Sequence, residues 1–363
     1  MATTTNQYKP DYTVPPGWVV GERLAAHDIS QAELARRCGR SPKLISEIIA
    51  GKAPIEPITA IQFEKVLGVD ASIWLGLEAE YRLRETRENE AQEAAREGAS
   101  WSSNFPMAEL AERGAIRKPS STVEAVSELL AFFGVASTAA WQAKYGASSV
   151  AFRHSPSFKS SQFALAAWLR LAEVNAREQD CAEYNSSEFK SALTRVRRLT
   201  RTDFSEALDA AQKLCNDAGV ALALVKPLAK TRLSGAAWWV SPRRPLIALS
   251  ARHKTDDHLW FSLFHEAAHI LLHSRKSVFV DGVGRDGNDI EAEADNWAAK
   301  FLVPTADWRR FTAAGRFNRA SVKRFANEQN IAPGIVVGSL QHNRLLRWNQ
   351  LNNLKVRLEW RDA

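Results

Sequence analysis

The segment His265-Glu266-Ala267-Ala268-His269 holds residue types at a spacing that can do chemistry. Histidines at i and i+4 stand one above the other on a single helical face. Both can then bind one metal ion, with the glutamate beside them. A catalytic zinc takes three protein ligands and keeps one position open for water. Glu291-Ala-Glu-Ala-Asp295 begins 22 residues beyond His269. On a helix Glu291 shares a face with Ala294, Asp295, Ala298 and Phe301, and the alanines allow close approach to the first helix. Glu291 is therefore the expected third ligand. Glu293 lies on a different face and is the reserve. Asp295, one turn on, can hydrogen-bond the distal nitrogen of a liganding histidine and fix its tautomer. His273 continues the spacing, but the face drifts about 40° with each four-residue step. It reads as a polar residue at the helix end rather than a fourth ligand.

With Zn2+ in that site, water would be activated near neutral pH. Glu266 would accept the proton and deliver it to a leaving amine. Negative charge developing on a peptide carbonyl needs a further donor, and His342, in GSLQHNRLL, is the candidate for that catalytic role. A hydrogen-bonded pair of core histidines is the bland alternative for HExxH. The second acidic helix, the apolar flanks and the proline after LV favour a metal.

The elements that must position these groups follow from periodicity. A helix is expected from about Asp256 to His273 and another from about Asp289 to Leu302, with Pro304 as its stop. Before them, Val220–Val225 (VALALV), Gly235–Val240 (GAAWWV) and Leu246–Ser250 (LIALS) are short apolar runs between turn residues, as strands would be. Helical patterns occupy about Ala108–Gly134, Ser160–Arg177, Ser187–Asp217 and the stretch to about Leu354. Long helices around a small sheet indicate an α+β domain. Trp238-Trp239 reads as strand core rather than a base-stacking platform.

The first 84 residues read differently. Ser30 can cap Gln31-Ala-Glu-Leu-Ala-Arg-Arg, with Glu33 near the capping-box position. Gly39 suits a turn needing positive φ, and Ser41-Pro42 opens a second helix. Ala35, Ile45 and Ile48 fall where two crossing helices would pack. This is helix-turn-helix spacing, which places its second helix in the major groove. Gln31, Ser41, Lys43, Ser46 and Lys52 are the side chains expected to reach DNA, with the lysines on phosphates and Gln31 and Ser46 at base edges. A helical bundle making only protein contacts is the alternative.

The chain has 363 residues, too many for one ordinary core. The domains expected are 1–84, a helical linker over 85–150 containing the charged run ETRENEAQEAAREG, and 151–363. The apolar runs are too short for a membrane span, and the polar N-terminal arm lacks a signal-type stretch. Three scattered cysteines fit a reducing cytoplasm rather than a disulfide framework. No Gly-rich loop followed by Lys-Ser/Thr argues for a nucleotide site. The net charge of +7 points to an anionic partner, yet residues 1–84 carry ten basic and ten acidic side chains. Arg36, Arg37, Arg40, Lys43 and Lys52 surround the reading helix, with Glu47 the expected opposing charge. The basic excess lies later, over Lys226–Lys254 and Arg309–Lys323.

The first part resembles the XRE-type helix-turn-helix of HigA-like antitoxins, through ISQAELARR, SEIIAGKAPI and FEKVLGVDASIWLGLEAEY. Leu44 stands where such proteins often carry Thr, which removes a base-facing hydroxyl. The second part resembles the ImmA/IrrE family of zinc metallopeptidases, through FSLFHEAAHILLH, EAEADNWAAKFLVP and IAPGIVVGSLQHNRLL. FRHSPSFKSSQFALAAWLRLAE, RLSGAAWWV and PLIALSAR extend the likeness. That resemblance implies a zincin-like helical core with a small β-sheet, so the whole is expected to be mainly α with an all-α first domain. It carries ligand roles onto His265, His269 and Glu291 and the base role onto Glu266. Relatives often have Asn where Asp295 stands.

Together these readings lead to an expected cytoplasmic DNA-binding regulator or antitoxin. It would carry a zinc endopeptidase that cleaves a repressor, antitoxin or toxin. The partners expected are a double-stranded operator, the protein substrate and a second copy of the chain, with Trp74 and the Glu85–Gly98 helix as candidate dimer surfaces. A non-enzymatic antitoxin whose zinc domain only binds a toxin or ligand is the alternative. A third possibility is a peptidase whose helix-turn-helix docks another repressor.

Overall fold

The computed structural model describes residues 14–146, 162–231, 233–274, 279–280 and 289–359. The polar arm at 1–13, the domain border at 150/151, FRHSPSFKSS at 152–161, Arg232 and the Gly-rich loop at 281–288 lie outside them. The chain divides into two compact units, Met1–Gly98 and Ala99–Ala363.

In the first unit, α1 (Pro16–Ala26), α2 (Gln31–Cys38), α3 (Pro42–Ile49) and α4 (Pro57–Leu67) pack around Leu34, Ile45, Ile48 and Phe63. The Ser30 hydroxyl accepts the Glu33 N–H at 3.2 Å and Ser41 that of Leu44 at 3.2 Å, each satisfying an orphan donor of a helix start. Gly39 adopts φ +62° between the two helices, a backbone state that costs a non-glycine residue energy. At Gly17, α1 crosses α3 so closely that a Cβ would collide with the carbonyls of Ile48 and Ile49. Helix α5 spans Ala71–Ser102, and its residues 85–90 are exposed. Trp74 is fully buried, edge-on to Phe63 at 5.7 Å, with its Nε1–H donated to Val69 O. It is core and offers no dimer surface, a correction to its reading as an interface residue.

The second unit is built on a four-stranded sheet of order β1-β3-β2-β4, with β1 Ala221–Leu224, β2 Gly235–Ser241, β3 Arg244–Leu249 and β4 Phe279–Val280. β1 runs parallel to β3, pairing Ala221 with Leu246, whereas β2 is antiparallel to β3, pairing Gly235 with Leu249. Strand alternation sends side chains to two different cores. Leu222, Ala237, Ile247 and Leu249 join one core with α10 (Ser186–Leu199), α11 (Phe204–Asp217), α12 (Asp256–Leu272), α15 (Arg319–Gln329) and α16 (Pro333–His342). Ala221, Ala223, Ala236, Trp238 and Ala248 join the other, with α6 (Met107–Glu112), α7 (Thr122–Phe133), α8 (Thr138–Trp141) and α9 (Gln162–Arg177).

That second core takes in residues from 105 to 145, within the stretch expected as a helical linker. Phe105, Leu110, Phe133 and Trp141 are buried there, and the Arg113 guanidinium donates to the carbonyls of Lys226 and Pro227 at 2.6 and 2.9 Å. The single helix expected over Ser187–Asp217 is two, because the Asp203 carboxylate accepts the Ser205 N–H and restarts the chain as α11. Helices α13 (Asp289–Leu302) and α14 (Thr305–Ala313) precede α15.

The C-terminal segment closes over the start of α12. The Asp256 N–H donates to Val356 O, the Val356 N–H returns to Asp256 Oδ1, and the Leu358 N–H donates to Lys254 O. Lys355 Nζ lies 2.6 Å from Asp257 and also donates to buried Gln341. Gly334 and Gly338 of α16 leave space for Asp256 and Asp257, whose oxygens would lie 2.6 and 2.5 Å from added Cβ atoms. Among the described residues, no single helix is long and apolar enough to cross a membrane.

Candidate metal centre and DNA-facing helix

Helix α12 is buried on nearly every side, so its apolar residues fix its rotation and with it the direction of His265 and His269. Both histidines are almost fully buried, as is Glu266. Helix α13 lies against it through Ala294 and Ala298, both fully buried, and this close approach brings Glu291 to the histidines.

One ligand atom from each of His265, His269 and Glu291 lies within 4.8 Å of the others. The two Nε2 atoms are 3.1 Å apart, His265 Nε2 is 3.3 Å from Glu291 Oε2, and His269 Nε2 is 3.6 Å from Glu291 Oε1. Donors about 2 Å from a tetrahedral ion stand about 3.3 Å from one another. The three separations bracket that edge, and two imidazoles with a carboxylate are a donor set that zinc accepts. The residues therefore fit the ion. Burial, with His265 and His273 adding to it, pushes His269 down to about 2, so its ring is neutral, the state a ligand needs.

The groups behind the ligands are ordered too. His265 Nδ1 lies 2.9 Å from Asp295 Oδ1, which leaves Nε2 for the metal. Glu266 is accommodated by Gly235 at the start of β2, where a Cβ would stand 2.7 Å from Oε1 and 3.2 Å from the Ala248 carbonyl. His273 ends the helix and stands outside the three donors; its Nδ1 is 2.9 Å from His269 Nδ1, and its Nε2 is 3.3 Å from Glu293 Oε2. Glu293, the reserve ligand, thus meets His273 and lies outside the three-donor cluster. Sequence reasoning missed both Gly235 and the pairing of His273. The four-residue step from His269 was the available signal for His273, and nothing local marks Gly235. His342 is the exposed last residue of α16, and among the described residues it makes no hydrogen bond or ion pair with His265, Glu266, His269 or Glu291.

In the first unit Gln31, Ser41, Lys43, Ser46 and Lys52 are all exposed. The Ser41 hydroxyl is engaged as the cap of α3. The basic rim is less free than its composition implies. Glu33 pairs with both Arg36 and Arg37, Arg40 donates to Gln62 at 2.8 Å, and Lys43 is 3.8 Å from Glu47. Two acids oppose this rim, not Glu47 alone. In the second unit the basic run Lys226–Lys254 is split by the strands. Lys226, Lys230, Arg252 and Lys254 are exposed beyond the C-terminal ends of β1 and β3, and Arg243 is in the turn at the opposite end of the sheet.

An N-terminal helix-turn-helix followed by a helical core with a two-histidine, one-glutamate cluster defines a regulator joined to a metallopeptidase-type domain. Residues 216–327 match the family model of the IrrE N-terminal-like domain of the M78 peptidases, and residues 21–74 match that of the helix-turn-helix. Over 70 residues the chain is 33% identical to YddM, an uncharacterized HTH-type transcriptional regulator of Escherichia coli (strain K12), covering 19% of this chain and 74% of that one. A solved addiction module antidote protein of the HigA family from Coxiella burnetii aligns at 24% identity and a TM-score of 0.22, over 23% of this chain and 92% of its own. The chain belongs to the XRE-type helix-turn-helix regulators and carries, in its second unit, a domain of the IrrE/ImmA peptidase family.

Proposed function

We propose that this protein is a cytoplasmic, operator-binding regulator whose second unit is a zinc-dependent endopeptidase acting on a protein partner, either a repressor or a member of a toxin–antitoxin pair. The observation that carries the reading is the convergence of His265, His269 and Glu291 within 4.8 Å while Glu266 is held beside them on the same buried helix. A structural metal site needs no second acid beside its three donors, whereas peptide hydrolysis does. The antitoxin-like part rests on the sequence resemblance of ISQAELARR and FEKVLGVDASIWLGLEAEY.

His265 and His269 would hold the ion through Nε2 and Glu291 through its carboxylate. Zinc bound there would supply Lewis acidity to a peptide carbonyl and to the attacking water. Asp295 accepts the His265 Nδ1–H and holds that ring in the ligating tautomer. The Glu266 carboxylate takes the proton from water and releases it to the amine of the departing peptide, and Gly235 leaves it room. The helix-turn-helix would read a two-fold operator as a homodimer, with Lys43 and Lys52 on phosphates and Gln31 and Ser46 toward base edges.

The test compares wild-type protein with Glu266→Ala in extracts of the source cell, followed by mapping of new protein N-termini. Wild type should create N-termini that Glu266→Ala does not, and the protein that bears them is the substrate. Identical N-termini in both samples would remove the endopeptidase reading and leave a non-enzymatic regulator.

A further inference from the structure

We propose that His273 is a positioning residue for the metal centre, holding His269 in its ligating tautomer through a relay that ends on Glu293. The proposal rests on the zinc reading of the three-donor cluster and extends it by two residues. His269 Nε2 is the nitrogen that faces His265 and Glu291, at 3.1 and 3.6 Å. A neutral imidazole that ligates through Nε2 carries its hydrogen on Nδ1 and must give it to an acceptor. The acceptor 2.9 Å away is His273 Nδ1. Two ring nitrogens make a hydrogen bond only when one lacks its proton, so His273 holds its own hydrogen on Nε2. That nitrogen lies 3.3 Å from Glu293 Oε2, a carboxylate and hence an acceptor.

The relay therefore has one direction, from His269 Nδ1–H to His273 Nδ1 and from His273 Nε2–H to Glu293. It matches the His265–Asp295 bond on the neighbouring ligand, so each liganding histidine has its distal N–H fixed. Its parts differ in accessibility. The His273 side chain is 6% exposed and Glu293 is 61% exposed. Desolvation gives the inner hydrogen bond its strength and leaves the outer one partly screened. Helix periodicity favours the arrangement: His273 is the residue after α12, one turn past His269, and its N–H still bonds to the His269 carbonyl.

The experiment measures zinc affinity of the full chain by competition with a chelator, with far-ultraviolet circular dichroism to show folding. His273→Leu keeps bulk and loses the acceptor, and should weaken zinc binding about tenfold or more. His273→Asn keeps an acceptor oxygen near the position of Nδ1 and should stay within about threefold of wild type. Glu293→Gln should fall between wild type and His273→Leu. With Co2+ in place of zinc, the visible absorption bands should move in His273→Leu and hold in His273→Asn.

Wild-type affinity in His273→Leu, or an equal loss in His273→Asn, would overturn the positioning role while the metal site stood. A folded wild type that takes up no zinc would instead overturn the metal reading, and the relay with it.

Discussion

Gly235 of β2, lacking a Cβ, leaves the space that the Glu266 side chain of α12 occupies. A Cβ on Gly235 would stand 2.7 Å from Glu266 Oε1, 2.9 Å from its Cγ and 3.2 Å from the Ala248 carbonyl. The strand therefore carries its smallest residue where the Glu266 carboxylate lies. Gly235→Ala should shift the carboxylate and lower stability by about 1–3 kcal/mol. A thermal melt beside a cleavage assay checks this: the melting temperature should fall and cleavage should drop sharply, with the bound zinc retained. A variant as stable and as active as wild type would show that the cradle has no role.

Asp295 holds His265 from a helix thirty positions later, with 2.9 Å between Oδ1 and Nδ1. Asp295→Ala should weaken zinc binding about 10–100-fold, and Asp295→Asn, which keeps an acceptor oxygen, should lose less. Chelator competition reads both.

Much of this centre was legible in the sequence, because a helix converts spacing into geometry. HExxH and the ExxxD step determine which side chains share a face, and two small alanines reveal where one helix meets the other. Other parts were not legible. The place of Gly235 opposite Glu266 depends on β2 pairing with β3 before α12 packs on the sheet. The core role of residues 105–145 depends on a second sheet face that local periodicity does not display. His273 stands at the helix end, where periodicity puts it, but its contact with the ring of His269 depends on side-chain rotamers that spacing does not display.

Asp256 gives a pH dependence away from the His265–His269–Glu291 cluster. Burial raises its carboxyl to about 6, against the Val356 N–H that it accepts and with Asp257 adding to the rise. A folded-state value above the unfolded one means that the folded protein binds this proton more tightly. The resulting stability is full below the ordinary carboxylate range and is lost as pH rises through about 6. The shift is worth on the order of 3 kcal/mol. Asp256→Asn should flatten this component in urea melts taken between pH 4 and 7, whereas an unchanged pH profile would place the proton elsewhere.

On the helix-turn-helix, Lys43→Ala with Lys52→Ala should weaken operator binding and reduce the slope of log affinity against log salt by about 2. Glu33 holds both Arg36 and Arg37. Glu33→Gln should free them, raising nonspecific affinity and steepening the salt dependence. Fluorescence anisotropy across a salt series reads both changes. A lysine double variant with an unaltered slope would direct the first unit toward protein docking instead of DNA.

Whether His265, His269 and Glu291 hold zinc is read by metal analysis of the purified full chain. Wild type should carry about one zinc per chain, and His265→Ala with His269→Ala should carry none while keeping its fold. A correctly folded wild type without zinc, or a double variant that retains it, would remove the zinc site from these three residues.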